Sequence, residues 1–92
     1  MLRVYIEETP KTIKKLNDAL LAWDVIALKS SAHKLRSPSA MLDVQKAVEL
    51  TEFIEMNASD LERKDEVKIA CVDLINLINL VLKEVEYLVD LS

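Results

Sequence analysis

Hydrophobic residues recur along this chain at steps of three and four, the spacing that predicts helices packed on one face. The longest such series predicts one buried helix face about five turns long and consists of Val25, Leu28, Ala32, Leu35, Ser39 and Leu42. Asp24 directly precedes it and is the expected N-cap, because an aspartate side chain accepts hydrogen bonds from the first free amides of a helix. This helix is expected to end near Asp43.

The residues before Asp24 predict two further helices. A short amphipathic opening helix is expected in the first eight residues, with its apolar side formed by Leu2, Tyr5 and Ile6. A second helix is expected to begin at Thr9-Pro10, since threonine is a good N-cap and proline in the first position loses no intrahelical bond. Its apolar stripe consists of Ile13, Leu16, Leu20 and Trp23.

Two more helices are predicted after Asp43. One covers Val44 to about Asn57, with an inner face formed by Ala47, Leu50 and Ile54. Ser59 and Glu62 have capping-box spacing, so a closing helix is expected to begin there and run almost to the C-terminus. The stretch from Leu74 to Leu82 is apolar nearly all round and is expected to be covered on more than one side. The inward positions are predicted at Val67, Ala70 or Cys71, Leu74, Ile78, Val81, Val85 and Leu88.

These elements predict an all-α fold, an antiparallel four-helix bundle with a short additional N-terminal helix, as one domain over residues 1–92. The chain contains no glycine, which disfavours β-hairpins and phosphate-binding loops. The formal net charge of −4 argues against nucleic acid as a partner. The lone cysteine, Cys71, is expected to be a small core residue, which fits a reducing compartment. No apolar leader or membrane span is visible, so a soluble domain is expected.

The acidic residues crowd into the middle of the chain. We interpret them as a solvated helix face followed by a polar loop. They are Glu49, Glu52, Glu55, Asp60, Glu62, Asp65 and Glu66.

His33 is the only histidine of the chain and its most informative residue. At about 100° per residue it points about 130° away from the buried stripe of its helix, so it is expected to be exposed. Lys29, Arg36, Ser37 and Ala40 share its side of the helix. An imidazole changes protonation state near neutral pH, so a neutral, nucleophilic ring nitrogen is available there to accept a phosphoryl group.

The run Ala32-His33-Lys34-Leu35-Arg36-Ser37, followed by Ser39-Ala40-Met41-Leu42, resembles the active-site signature of histidine-containing phosphotransfer (HPt) domains. That signature has an alanine and a histidine, then a leucine two residues on, a basic residue three on and a small residue four on. The resemblance extends over the whole order of predicted helices.

The chain departs from the family pattern at four positions. Arg36 stands where the family usually has lysine, and Ser37 where it often has glycine. Pro38 interrupts the active helix and is expected to cause a kink or a wider turn. Asp43 occupies a helix-end position where glycine is common, and aspartate tolerates a left-handed cap less comfortably.

The resemblance implies a phosphorelay intermediate in which His33 accepts a phosphoryl group from the phospho-aspartate of a receiver domain and passes it to another receiver. It implies receiver domains as partners, no cofactor in this chain, Mg²⁺ held by the receiver, and a cytoplasmic location, free or within a hybrid histidine kinase. Arg36 and Lys29 would stabilise the phosphoryl oxygens, while Ser37 either donates to them or is simply an exposed serine. Lys34 would serve docking, beside an apolar patch formed by Ile26, Ala40 and Met41 with Tyr5 or Ile6; these last two could instead only cap the bundle.

Two other functions remain open. The very apolar closing helix is compatible with a degenerate HPt domain that acts as an interaction or dimerisation module without phosphotransfer. An enzyme using His33 as a general base is weaker, because such a base normally needs an orienting carboxylate and a pocket, and the sequence places cations near His33.

Overall fold

The structure is a computed structural model that describes residues 2–91, with side chains described for residues 3–90. Over that range it is all-α: α1 spans Leu2–Ala22, α2 Val25–Met41, α3 Gln45–Asn57 and α4 Lys64–Leu91. A single 3₁₀ turn, Leu61–Arg63, precedes α4. The predicted all-α bundle is confirmed.

The sequence predicted a separate opening helix, but the structure has one continuous helix, α1, which runs through Pro10. The predicted helix start at Thr9-Pro10 is therefore wrong. Tyr5 and Thr9 are both buried, one turn apart, and Ile13 continues the same inner face. Pro10 is exposed and has no backbone N–H, so the hydrogen bond from residue 10 to the Ile6 carbonyl is missing. Packing of the inner face keeps α1 helical on both sides of this proline.

Helix α2 begins as predicted, with the Asp24 carboxylate accepting the Ala27 amide at 3.1 Å. It continues through Pro38 as one helix to Met41, and the buried Ser39 hydroxyl donates to the Leu35 carbonyl at 2.6 Å. Asp43 then takes the left-handed conformation (φ 59°) that its position predicted.

The four helices pack in a ring: α1 against α2 and α4, and α3 against α2 and α4. Consecutive helices joined by short connections and packed together run antiparallel. The domain measures 46 × 22 × 17 Å, and its core is aliphatic. The largest fully buried side chains include Leu16, Leu28, Leu35, Ile54, Leu74 and Ile78.

The beginning and the outer face of α4 differ from expectation. Asp60, not Ser59, caps the 3₁₀ turn by accepting the Glu62 amide at 3.0 Å, and α4 starts at Lys64. The predicted cover on more than one side of residues 74–82 holds in part: α4 packs against both α1 and α3, with Ile75 and Leu77 half-buried, but it leaves Leu80 61% exposed. Of the predicted inward positions Leu88 is exposed and Val81 half-buried, with Leu82 buried in its place.

Trp23 joins the end of α1 to the beginning of α4. It has a left-handed backbone (φ 51°), and its half-buried ring lies under the ammonium groups of Lys64 and Lys68, at 5.0 and 5.8 Å from the ring centroid. Cys71, as predicted, is a buried core residue. In the part of the chain that the structure describes, no helix is both long and apolar enough to cross a membrane.

Candidate functional site

His33 stands on the outward ridge of α2, with its side chain 70% exposed. Its Nδ1 lies 3.3 Å from Oε2 of Glu55, a half-buried residue of α3. Among the described residues, no hydrogen bond is made to the other ring nitrogen, Nε2. The imidazole is therefore held from one side and presents its second nitrogen to solvent.

A second contact between α2 and α3 lies beside the first. The guanidinium of Arg36 is 3.3 Å from Oε1 of Glu52, and both side chains are about half exposed. Arg36 follows His33 by three residues, so both lie on the same side of α2. Arg36, the cation that the resemblance assigned to the phosphoryl oxygens, is thus paired with a carboxylate of α3.

Sequence reasoning missed both carboxylates and placed Glu52 and Glu55 on a solvated face. Both lie on the side of α3 that meets α2. A signal was available: His33 and Glu55 are each eleven residues from Val44, and Arg36 and Glu52 each eight. In an antiparallel pair of helices, residues equidistant from the connection lie opposite each other, so the pairing followed once Val44 was recognised as the turn.

The remaining polar residues proposed for the site lie around His33 on α2. Lys29 is half-buried, and Ser37 is exposed one turn beyond the histidine. Lys34 is exposed on the opposite flank, toward α1, where it lines a groove between α1 and α2. Within residues 3–90, neither Lys29 nor Lys34 forms an ion pair.

The residues predicted for docking are divided between surface and core. Ile26 is 81% exposed, and Ala40 and Met41 are exposed on the same helix. Tyr5 is only 7% exposed and belongs to the core, which corrects its placement in a surface patch; continuity of α1 turns it inward. Burial raises the pKa of the Tyr5 phenol. Ile6 is half-buried and packs against the core.

An apolar groove of about 420 Å³ opens between the first turns of α1 and the last turn of α2. Pro38 and Met41 form its α2 side. Between residues 3 and 90, no group of three or more histidine, cysteine, aspartate or glutamate side chains is arranged to hold a metal ion.

The family of this chain is decided by comparison with known domain families, in which the model of the Hpt domain matches residues 1–88. The chain belongs to the Hpt domain family. Searches of curated proteins and of solved structures return no match. Hpt domains are helical bundles that take part in phosphorelays together with receiver domains, so the resemblance stated from the residues around His33 is confirmed for the chain as a whole.

The site of this Hpt domain combines one exposed imidazole with charges of both signs. Nε2 of His33 is accessible, Nδ1 is paired with Glu55, and Arg36 lies one turn along α2. Such a site can form a bond to an incoming electrophile and hold its negative charge. The histidine side chain is 70% exposed, so it lies on the open surface of the domain.

Proposed function

We propose that this Hpt domain is a phosphorelay intermediate in which His33 takes a phosphoryl group from the phospho-aspartate of one receiver domain and passes it to an aspartate of another. The observation that carries the proposal is the exposed imidazole with one nitrogen paired and the other open. The domain would work in the cytoplasm, free or as part of a hybrid histidine kinase.

In the proposed step, the lone pair of neutral His33 Nε2 attacks the phosphorus of the acyl phosphate. A P–N bond forms while the P–O bond to the aspartate breaks, and the aspartate leaves as a carboxylate. The ring gains positive charge as the P–N bond forms, and the Glu55 carboxylate beside Nδ1 stabilises that charge. Attack by a second receiver's aspartate on the phosphohistidine reverses these bond changes.

Arg36, Lys29 and Ser37 are proposed to act on the phosphoryl oxygens. Charge in the transition state spreads over the three equatorial oxygens, where nearby cations stabilise it. Arg36 would have to turn from Glu52 toward the phosphoryl group. An exposed ion pair contributes about 0–1 kcal/mol, so this exchange of partners costs little. The Mg²⁺ that assists the reaction would be held by the receiver.

Docking of the receiver is proposed on the exposed side of α2. Ile26, Ala40 and Met41 supply apolar surface on both sides of His33 along the helix. Ile6 is left out of this surface, because it lines a groove with Glu86 and Val89 of α4. Lys34 supplies positive charge on the flank toward α1. Tyr5, being buried, would support this surface from below.

The second candidate is an interaction or dimerisation module without phosphotransfer. It is favoured by apolar side chains that α4 leaves exposed on its outer face. They include Ile69, Val72, Leu80 and Tyr87. A general-base enzyme now has the orienting carboxylate that it lacked in the sequence, but the ridge position of His33 still provides no pocket.

Transfer from a phosphorylated receiver domain to the purified chain tests the proposal, with His33→Gln as the control. We expect acid-labile, alkali-stable label on the wild type and none on the variant. If a panel of receivers from the same organism all fail to transfer to the folded domain, the interaction-module function replaces the relay function. Circular dichroism establishes that both proteins are folded.

A further inference from the structure

The face of α4 that points away from the bundle carries large apolar side chains. Ile69, Leu80 and Tyr87 are each more than half exposed. At about 100° per residue they fall within about 20° of one another around the helix, on the side opposite the buried Ile78. α4 therefore has a second apolar stripe that is not covered by any described part of the chain.

Polar residues alternate with these apolar ones along the same face. We call the whole set the outer stripe: Ile69, Asp73, Asn76, Leu80, Lys83 and Tyr87, all exposed. Asp73 and Lys83 form no ion pair within residues 3–90. A lipid surface is disfavoured as the partner of this stripe, because a carboxylate and an ammonium group would have to leave water. A polyanion is disfavoured because the two charges cancel.

The spacing of the outer stripe is that of a coiled coil. Its six positions alternate steps of four and three residues, the heptad spacing at which one helix packs along another. The set is also symmetric about residue 78: Ile69 and Tyr87 are each nine residues from it, and Asp73 and Lys83 each five. In an antiparallel pair of α4 helices centred there, Ile69 lies opposite Tyr87 and Asp73 opposite Lys83.

We propose that the outer stripe of α4 binds the outer stripe of a second copy of this chain, antiparallel and centred at residue 78. Two-fold symmetry forms every contact twice, so each copy gives Asp73 to Lys83 of the other and receives the reverse pair. This reciprocal charge complementarity supports a second copy as the occupant. A parallel pair in register would set Asp73 against Asp73 and Lys83 against Lys83, which like-charge repulsion disfavours.

Pairing through α4 leaves the phosphotransfer surface open. α2 and α4 each pack against α1 and α3, so they lie at opposite corners of the ring of helices. His33 is exposed on α2 and stays accessible in both copies. The inference therefore goes beyond the proposed function: the dimer would carry two open histidines, unlike a module that dimerises without phosphotransfer.

The contact is short, so the dimer is expected to be reversible. From Ile69 to Tyr87 the helix rises about 27 Å, and a pair of this length belongs to the small class of specific interfaces, below about 1,200 Å² in total. In the two central layers Asn76 lies opposite Leu80, which weakens the pair because an amide is removed from water against an apolar side chain. A Kd of about 10–100 μM is expected.

Two charge reversals and their mixture test the inference. Asp73→Lys sets two lysines against each other in the dimer, and Lys83→Asp sets two aspartates against each other. Each variant alone is expected to lose at least about tenfold in dimer affinity. An equimolar mixture of the two should recover the wild-type affinity, because both pairs in the mixed dimer are again opposite in sign. Sedimentation velocity over a concentration series that brackets the expected Kd measures the association.

Matched controls make the same changes of charge on another helix. Asp18→Lys and Lys14→Asp lie at exposed positions of α1, and both should dimerise as the wild type does. Circular dichroism checks that every variant is folded.

The inference is overturned by a wild type that keeps the monomer mass of 10.5 kDa throughout the series. It is also overturned by a dimer that either reversal at Asp73 or Lys83 leaves unchanged, or by a mixture that stays monomeric. None of these results affects the relay function, which is measured separately by transfer from a receiver to His33. Failure of that transfer would in turn leave the dimer in place.

Discussion

Nδ1 of His33 and Oε2 of Glu55 lie 3.3 Å apart and join α2 to α3 beside the Arg36–Glu52 ion pair. If Nδ1 carries the proton, this contact leaves the Nε2 lone pair directed outward, which is the tautomer a nucleophile at Nε2 needs. The relationship links the fold directly to the proposed chemistry.

Glu55→Ala is therefore expected to slow phosphoryl uptake by about tenfold, or about 1.4 kcal/mol in activation free energy, because the ring loses its partner and its compensating charge. Single-turnover transfer measures the rate, and ¹⁵N chemical shifts of the His33 ring report the tautomer. Glu49→Ala removes another, exposed carboxylate of α3 and serves as the control. An unchanged tautomer together with a wild-type rate in Glu55→Ala would remove Glu55 from the site.

Arg36→Ala is expected to lower the transfer rate at saturating receiver by about tenfold, since one cation near the phosphoryl oxygens is lost. Its free energy of unfolding should change by less than about 1 kcal/mol, because the Arg36–Glu52 pair is exposed. Arg36→Lys, which keeps the charge, should recover most of the rate. Glu52→Gln breaks the same ion pair but keeps the cation, so a loss of rate in that variant equal to that of Arg36→Ala would show that the pair, not the cation, is needed.

Asp43→Gly is expected to raise the free energy of unfolding by about 0.5–1 kcal/mol. Asp43 has φ 59°, a left-handed conformation that glycine adopts without the steric penalty of a Cβ atom. Urea denaturation measures the change, and Asp43→Asn, which tolerates the same conformation, should differ little from the wild type. A less stable Asp43→Gly would mean that the carboxylate contributes more than the backbone strain costs.

Stability is expected to fall at alkaline pH through Cys71. Burial raises the pKa of the Cys71 thiol from 9.0 to about 11, so the folded state favours the neutral thiol. Below pH 9 the thiol is protonated in both the folded and the unfolded state, and its contribution to stability is fully present. As pH rises from about 9 to about 11, the unfolded state releases a proton that the folded state keeps, so the free energy of unfolding decreases. The raised pKa of Tyr5 acts in the same direction.

Urea unfolding at a series of pH values across this range measures the slope. Cys71→Ala should show a shallower decline, since only Tyr5 then contributes through burial. Identical slopes in the two proteins would argue against a buried thiol as the cause.

Local signals in the sequence were sufficient for the beginning, the buried face and the end of α2. The Asp24 cap, the buried stripe through Leu28 and Leu35, and the left-handed Asp43 each depend on neighbours within a few residues, and the structure confirms them. The exposure of His33 followed from the angle between it and that stripe.

Features that depend on other helices were not predicted. Continuity of α1 through Pro10 depends on burial of Tyr5 and Thr9 against neighbouring helices, which outweighs the bond that proline loses. The approach of Glu52 and Glu55 to α2 depends on the register across the α2–α3 connection, and a helix read alone shows only that these side chains are polar. Exposure of Leu80 shows that an apolar helix need not be covered on every side.

Trp23 gives the molecule a built-in optical probe. It is the only tryptophan of the chain, and it stands where α1 ends and two lysines from the beginning of α4 lie over its ring. Its emission should therefore shift to longer wavelength when the contact between the first and last helices is lost. Denaturation of each variant can thus be followed by intrinsic fluorescence without a label at the phosphotransfer surface.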